Sequence, residues 1–135
     1  MKRRNAREYA LQFLFQSEFI DNEQIKDHLK QFWADKENDA EVKKFANDLI
    51  EGTLSMLDEI DKEIKEAAEH WVLERMAAVD RNILRFAVYE LIGRRDIPSA
   101  VTINEAIEIA KKYSTLESAS FINGILDRVA KKIKK

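Results

Sequence analysis

The chain has 135 residues and a mass of 15.8 kDa, 45% hydrophobic and 36% charged, which is one domain, or two small helical halves on one core, needing no covalent staple. The lack of cysteine excludes a disulfide framework, a thiolate metal site and a cysteine nucleophile, and three glycines with one proline are too few for a turn-rich sandwich or barrel. The net charge of -2 hides an asymmetry: residues 1–7 carry +4, residues 128–135 carry +5, and all 25 acids lie between them on a body of net charge -11.

The apolar spacing is helical almost from end to end. Ala6, Tyr9, Ala10, Phe13 and Leu14 define a first helix over roughly residues 4–19. Leu11, Phe15 and Phe19 make a second stripe on it, either core or partner surface, with Leu11 the most core-like. Ile25, Leu29, Phe32 and Trp33 form a shorter second helix. Asn38 or Asp39 suits the N-cap of a third. Its stripe from Val42 through Leu49, Leu57 and Ile60 to Ile64 predicts one helix of about seven turns, with Gly52 a place for close packing. Residues 71–78 are irregular, a short helix or a linker between an N-terminal half of about 1–70 and a C-terminal half of about 71–135. A helix from Val79 stops near Gly93, and Ile97-Pro98 breaks the pattern. Thr102 and Glu105 have the spacing of a capping box that opens the next helix, with Ile103, Ala106, Ile107 and Ala110 inward. Ser114-Thr115 interrupts, and Ile122, Ile125, Leu126, Val129 and Ile133 make the last helix. The expected architecture is an all-α bundle of about seven helices in two small halves.

Catalytic patterns are missing. The glycines are isolated at 52, 93 and 124, His28 and His70 lack metal-ligand spacing, and the many carboxylates alternate with lysines on solvated helix faces. No enzyme activity, metal or cofactor is expected. No run of 18 apolar residues marks a membrane span, and no apolar run after the basic start marks a signal peptide.

Two features point toward nucleic acid. Lys2, Arg3, Arg4 and Arg7 sit at a helix start, where cations oppose the macrodipole but guanidinium forks suit phosphate oxygens. Phe121 lies on the flank of the last core stripe, after Ser118-Ala119-Ser120. It can stack on an unpaired base or pack under the 114–118 turn.

Four blocks resemble the bacterial NusB family of transcription antitermination factors. They are Ala6-Arg7-Glu8-x-Ala10-Leu11-Gln12, Asp80-Arg81-Asn82-Ile83-Leu84-Arg85-x-Ala87-x-Tyr89-Glu90-Leu91, Pro98-x-x-Val101-x-Ile103-Asn104-Glu105-Ala106-Ile107-Glu108-x-Ala110-Lys111, and Phe121-Ile122-Asn123-Gly124-Ile125-Leu126-Asp127. They fall in family order over nearly the whole chain, whereas residues 20–70 carry little signature.

The resemblance implies a single NusB-like RNA-binding domain over 1–135. It implies binding of boxA, a short single-stranded element of ribosomal RNA transcripts, together with the ribosomal protein NusE. The complex would load onto RNA polymerase with other Nus factors in the cytoplasm. The RNA set implied is Lys2, Arg3, Arg4, Arg7, Glu117, Phe121 and Asn123, with Lys111 and Lys112 added from charge. Asn123 has a rival reading as a cap near Gly124. Glu117, an acid near RNA, would oppose binding.

The partner face implied is Phe15 and Asp80, with Phe19 and Glu74 as neighbours. Relatives often carry Tyr where this chain has Phe15, and some carry Glu in place of Asp80, which is equally suited to capping its helix. Gly124 is read as a close helix approach, and Tyr89, Glu90 and Asn104 as buried hydrogen-bonding residues. The alternatives are a protein-only adaptor or homodimer, or a NusB-like accessory domain of RNA modification. Against the latter stands a chain ending at Lys135, with no methyl-donor domain and no cysteine.

Overall fold

A computed structural model describes residues 2–36, 39–69 and 71–134. Seven α-helices run through them: α1 Lys2–Ser17, α2 Ile25–Ala34, α3 Ala40–Ser55, α4 Leu57–Ala68, α5 Ala78–Gly93, α6 Ser99–Tyr113 and α7 Leu116–Ile133. Single 3-10 turns occupy Asn22–Gln24 and Leu73–Arg75. There is no strand among the described residues, and none of their helices is long and apolar enough to cross a membrane.

α5 is the axis of the bundle. It packs against α1, α3, α4, α6 and α7, so residues all round it are buried, from Asn82, Ile83 and Leu84 to Phe86, Ala87, Val88 and Leu91. A helix enclosed on every side is apolar on every side, and each such large side chain contributes about 1.5–3 kcal/mol through burial. α1 also lies on α3, and α6 on α7. α4 packs on α5 and α7, although it precedes residue 70.

Four local expectations change. The stripe from Val42 to Ile64 is split between two helices. The Gly52 carbonyl accepts from both the Ser55 hydroxyl (3.0 Å) and the Met56 amide (3.1 Å), and Met56 leaves helical geometry at φ -113°, ψ 21°. A serine hydroxyl competing for a helix carbonyl bends the chain in this way. Both segments keep the same apolar phase, which hides the break in sequence.

Thr102 is no cap, because α6 begins a turn earlier. Pro98 occupies its N-cap at φ -59°. Thr102 is buried and donates its hydroxyl to Glu90 at 3.0 Å, while Glu105 receives Arg4. Gly124 approaches nothing: a Cβ added there meets no atom within 4 Å. Asn104 is exposed, unlike Tyr89 and Glu90, which are buried.

Other features follow the sequence. Asp39 caps α3 by accepting from the Glu41 and Val42 amides at 2.9 and 3.2 Å, while the alternative Asn38 lies outside the described residues. Gly52 does permit close packing. A Cβ there would fall 2.2 Å from the Tyr89 ring, whose hydroxyl donates to Asp48 at 2.9 Å. Burial, then the Asp48 carboxylate, push the Tyr89 phenol up to about 12, so it stays a donor. Gly52→Ala is expected to cost about 1–3 kcal/mol in chemical denaturation, the usual range for overpacking. An unchanged midpoint would mean that the ring moves aside freely.

Candidate nucleic-acid interface

The basic start of α1 divides by burial. Lys2 pairs with Asp39 (3.2 Å) and Glu41 (3.3 Å) at the surface. Arg3 is exposed and lies 4.6 Å above the Phe45 ring centroid. Arg4 forms a two-pronged bond to Glu105 at 2.8 and 2.7 Å. Arg7 must be corrected from an RNA contact to a core residue. It is 2% exposed, and its Nε and Nη2 donate to Glu90 at 2.7 and 2.8 Å. The helix repeat explains the difference, since Arg7 falls on the inward face with Ala6, Ala10 and Leu14. Lys2, Arg3, Lys44 and Arg94 line a polar hollow of about 530 Å³ over Phe45.

At the end of α6, Lys111 pairs with Glu108 (3.2 Å) and Lys112 with Glu8 of α1 (2.9 Å). The Tyr113 hydroxyl also donates to Glu8, at 2.6 Å. Both lysines remain exposed, and exposed pairs of this kind exchange readily for phosphate oxygens.

Phe121 is half-buried on α7 and meets Trp71 edge to face, with ring centroids 5.0 Å apart. Trp71 is 61% exposed. Hollows open on either side of this pair. The first, about 220 Å³, is lined by Arg75, Asp80, Thr115, Glu117 and Ser118 as well as the two rings. The second, about 360 Å³, adds Ser120, Gly124 and Arg128. Arg75 has no side-chain partner among the described residues, and Arg128 donates to the Ala67 carbonyl at 2.7 Å.

Sequence reasoning passed over Trp71 and Arg75. The available signal was a large aromatic and a cation in an irregular segment, where no helical stripe claims them. Asn123 is exposed and lines neither hollow, because two residues beyond Phe121 it projects about 200° around the helix.

Asp80 is corrected as a cap of its helix, and it keeps a place on the wall of the first hollow. It makes no capping bond and is buried, accepting from the Ser114 and Ser118 hydroxyls at 2.7 and 2.8 Å. Thr115 caps α7 by accepting from the Ser118 amide at 2.9 Å. Asp80 therefore fixes the turn that carries Glu117 and Phe121.

A second exposed aromatic pair ends α1. Phe15 is 37% and Phe19 77% exposed, with rings 5.9 Å apart, whereas Leu11 is core. Between the two rings in sequence, Glu18 turns to α5. It accepts from Arg81, from Asn82 at 2.8 Å and from Arg85 at 3.1 Å. Arg81 also donates to the Leu73 and Met76 carbonyls at 3.2 and 2.8 Å. That arginine holds segment 71–76 beside the end of α1. The segment carries Trp71 and Arg75 toward Phe121, and Glu74, paired with Lys65 at 3.3 Å, between them. One aromatic pair thus draws Trp71 from this strap, and Arg81 ties the strap to Glu18, next to Phe19 of the other pair.

Burial alone would raise the Glu18 carboxyl; the hydrogen bonds from Arg81 and Asn82, with the charges of Arg81 and Arg85, outweigh it and hold the group below its usual value. A depressed carboxylate stabilises the fold above its unfolded pKa, and that contribution is lost as pH falls through the folded value. Glu18→Gln is expected to lower the melting temperature at neutral pH and to flatten its decline below about pH 4.5. Parallel pH–melting curves for the two proteins would contradict this.

The fold and surface define an all-helical protein of binding type, with exposed rings and cations around an ordered turn. The NusB family model matches residues 4–131, and the chain belongs to the NusB family. It is 54% identical to the transcription antitermination protein NusB of Thermodesulfovibrio yellowstonii, over 97% of this chain and 93% of that one. It is 51% identical to that of Desulfitobacterium hafniense, over 100% and 92%. Among solved structures, T. maritima NusB superposes with a TM-score of 0.84 at 46% identity, over 96% of this chain and 91% of that one. A crystal structure of the antitermination factors NusB and NusE in complex with dsRNA superposes at 0.80 and 25% identity, over 97% of each chain.

Proposed function

We propose that this protein is a transcription antitermination factor that binds boxA single-stranded RNA of ribosomal RNA transcripts. It does so jointly with NusE, in the cytoplasm, and the pair loads onto RNA polymerase with other Nus factors. The observation that carries the RNA reading is the exposed Trp71–Phe121 pair between Arg75 and Arg128. Single-stranded RNA is held by stacking on rings and by cations along its backbone. A duplex hides its base faces and would leave the rings unused. The family relationship supports RNA and NusE as ligands, since a NusB relative is seen in complex with NusE and dsRNA; the choice of a single strand rests on the exposed rings alone.

In this reading Trp71 and Phe121 stack bases, and Arg75 and Arg128 meet the adjoining phosphates. Lys111, Lys112, Lys2, Arg3 and Arg4 extend the cationic track. Asp80 positions Phe121 through Ser114 and Ser118. NusE sits on Phe15, Phe19 and Glu74, so the 71–76 strap contacts both ligands. The acidic body of the chain complements a basic ribosomal protein.

Fluorescence anisotropy of labelled boxA RNA at several salt concentrations, with a scrambled RNA alongside, tests this reading. Preferential binding that falls steeply with salt is expected, and tighter binding once NusE is added. A salt-independent interaction, or equal affinity for the scrambled RNA with NusE present, would move the function to a protein-only adaptor.

Glu117 has no partner among the described residues and lines both hollows. Glu117→Gln is expected to raise RNA affinity and Glu117→Lys to raise it further. The lysine should also steepen the log–log salt dependence by about 0.7, the value for one more single-strand phosphate contact. Weaker binding by the lysine variant would take Glu117 off the RNA path.

A further inference from the structure

α2 and α3 diverge around a groove of about 720 Å³ that shares no residue with the Trp71–Phe121 corner or the Phe15–Phe19 pair. Its floor is aliphatic: Ile25 and Leu29 from α2, Ile50 and Leu54 from α3. Trp33 closes one part of it, its indole N–H donating to Asn47 at 2.8 Å. The rim is cationic. Lys26 and Lys30 stand one turn apart on α2 and Lys43 stands on α3. All three are exposed, and none has an ion-pair partner among the described residues. Glu51 is the single acid in the lining.

We infer that this α2–α3 groove docks an acidic amphipathic helix of a protein partner. An apolar trough between two helices accepts side chains spaced i, i+3, i+4, i+7 along a third. Three unpaired lysines over that trough select a helix flanked by Asp and Glu. RNA fits it less well. Trp33 is nearly buried among Tyr9 and Phe32, so no open ring is offered to a base, and a phosphate chain gains nothing from Ile25 and Leu29.

The test uses a fluorescein-labelled peptide of about 15 residues, long enough for an amphipathic helix, with Leu at i, i+3, i+4 and i+7 and Glu along both flanks. A Lys-flanked copy, a single-stranded RNA and phosphatidylglycerol vesicles are run beside it. Anisotropy reads affinity, and the two indole N–H resonances report place, since Trp33 lines the groove and Trp71 does not. The Glu-flanked peptide is expected to saturate, to shift Trp33 alone, and to bind at least about tenfold tighter than the Lys-flanked copy. Lys26→Glu with Lys30→Glu, on exposed positions, should reverse that preference. Failure of the Glu-flanked peptide to bind would overturn the inference. So would equal affinity for the two peptides, movement of Trp71 instead, or displacement of Trp33 by the RNA or the vesicles.

Discussion

Arg7→Met is expected to destabilise the protein by about 3–5 kcal/mol, the cost of removing one partner of a buried ion pair. The Glu90 carboxylate is fully buried and takes both prongs of the Arg7 guanidinium as well as the Thr102 hydroxyl. Remove Arg7, and a charge remains in the core where α1, α5 and α6 meet. A domain has only about 5–15 kcal/mol of net stability, so the melting temperature should fall by some 10–20 °C at this chain length. Arg7→Met combined with Glu90→Leu should recover most of the loss, because an apolar replacement removes both charges. RNA affinity, measured where the variant is still folded, should be unchanged. An Arg7→Met protein that melts like the parent but loses RNA would return Arg7 to the phosphate contacts.

Trp71→Ala and Phe121→Ala are each expected to weaken boxA binding by about 1–3 kcal/mol, the worth of one stacked base, or roughly 5- to 150-fold. Their stabilities should differ. Trp71 is mostly exposed, so its loss should barely move the melting temperature, whereas half-buried Phe121 packs against the core and its loss should lower it somewhat. The rings touch, so the double variant should lose less than the sum of the single losses. Simple additivity would mean that the rings serve separate bases or that only one serves any.

The helices were legible because burial imposes a 3.6-residue repeat, and α5 and α7 carry it clearly. The break at Met56 was not, since one non-helical residue leaves the apolar phase intact and the cause is a single serine hydroxyl. The α6 start was misplaced for a related reason: a Thr-x-x-Glu spacing is also what two interior residues show when each has a distant partner. Arg7 looked like its neighbours Arg3 and Arg4 until Glu90, 83 residues away, claimed it. Phe121 could be picked out as a residue off its core stripe. Trp71 offered only its place in an irregular segment as a signal, because the exposure of that segment depends on how Arg81 ties it to α1.

The central claim is that RNA bases stack at the Trp71–Phe121 corner. The chain has two tryptophans, so a Trp33→Phe variant, checked for helicity, leaves Trp71 as the only indole emitter. Its fluorescence is measured while boxA RNA is added, with anisotropy of the labelled RNA followed in the same titration. Quenching that tracks binding and is absent with scrambled RNA is the predicted result. Binding reported by anisotropy with unchanged Trp71 emission would place the RNA elsewhere on the protein and contradict the account.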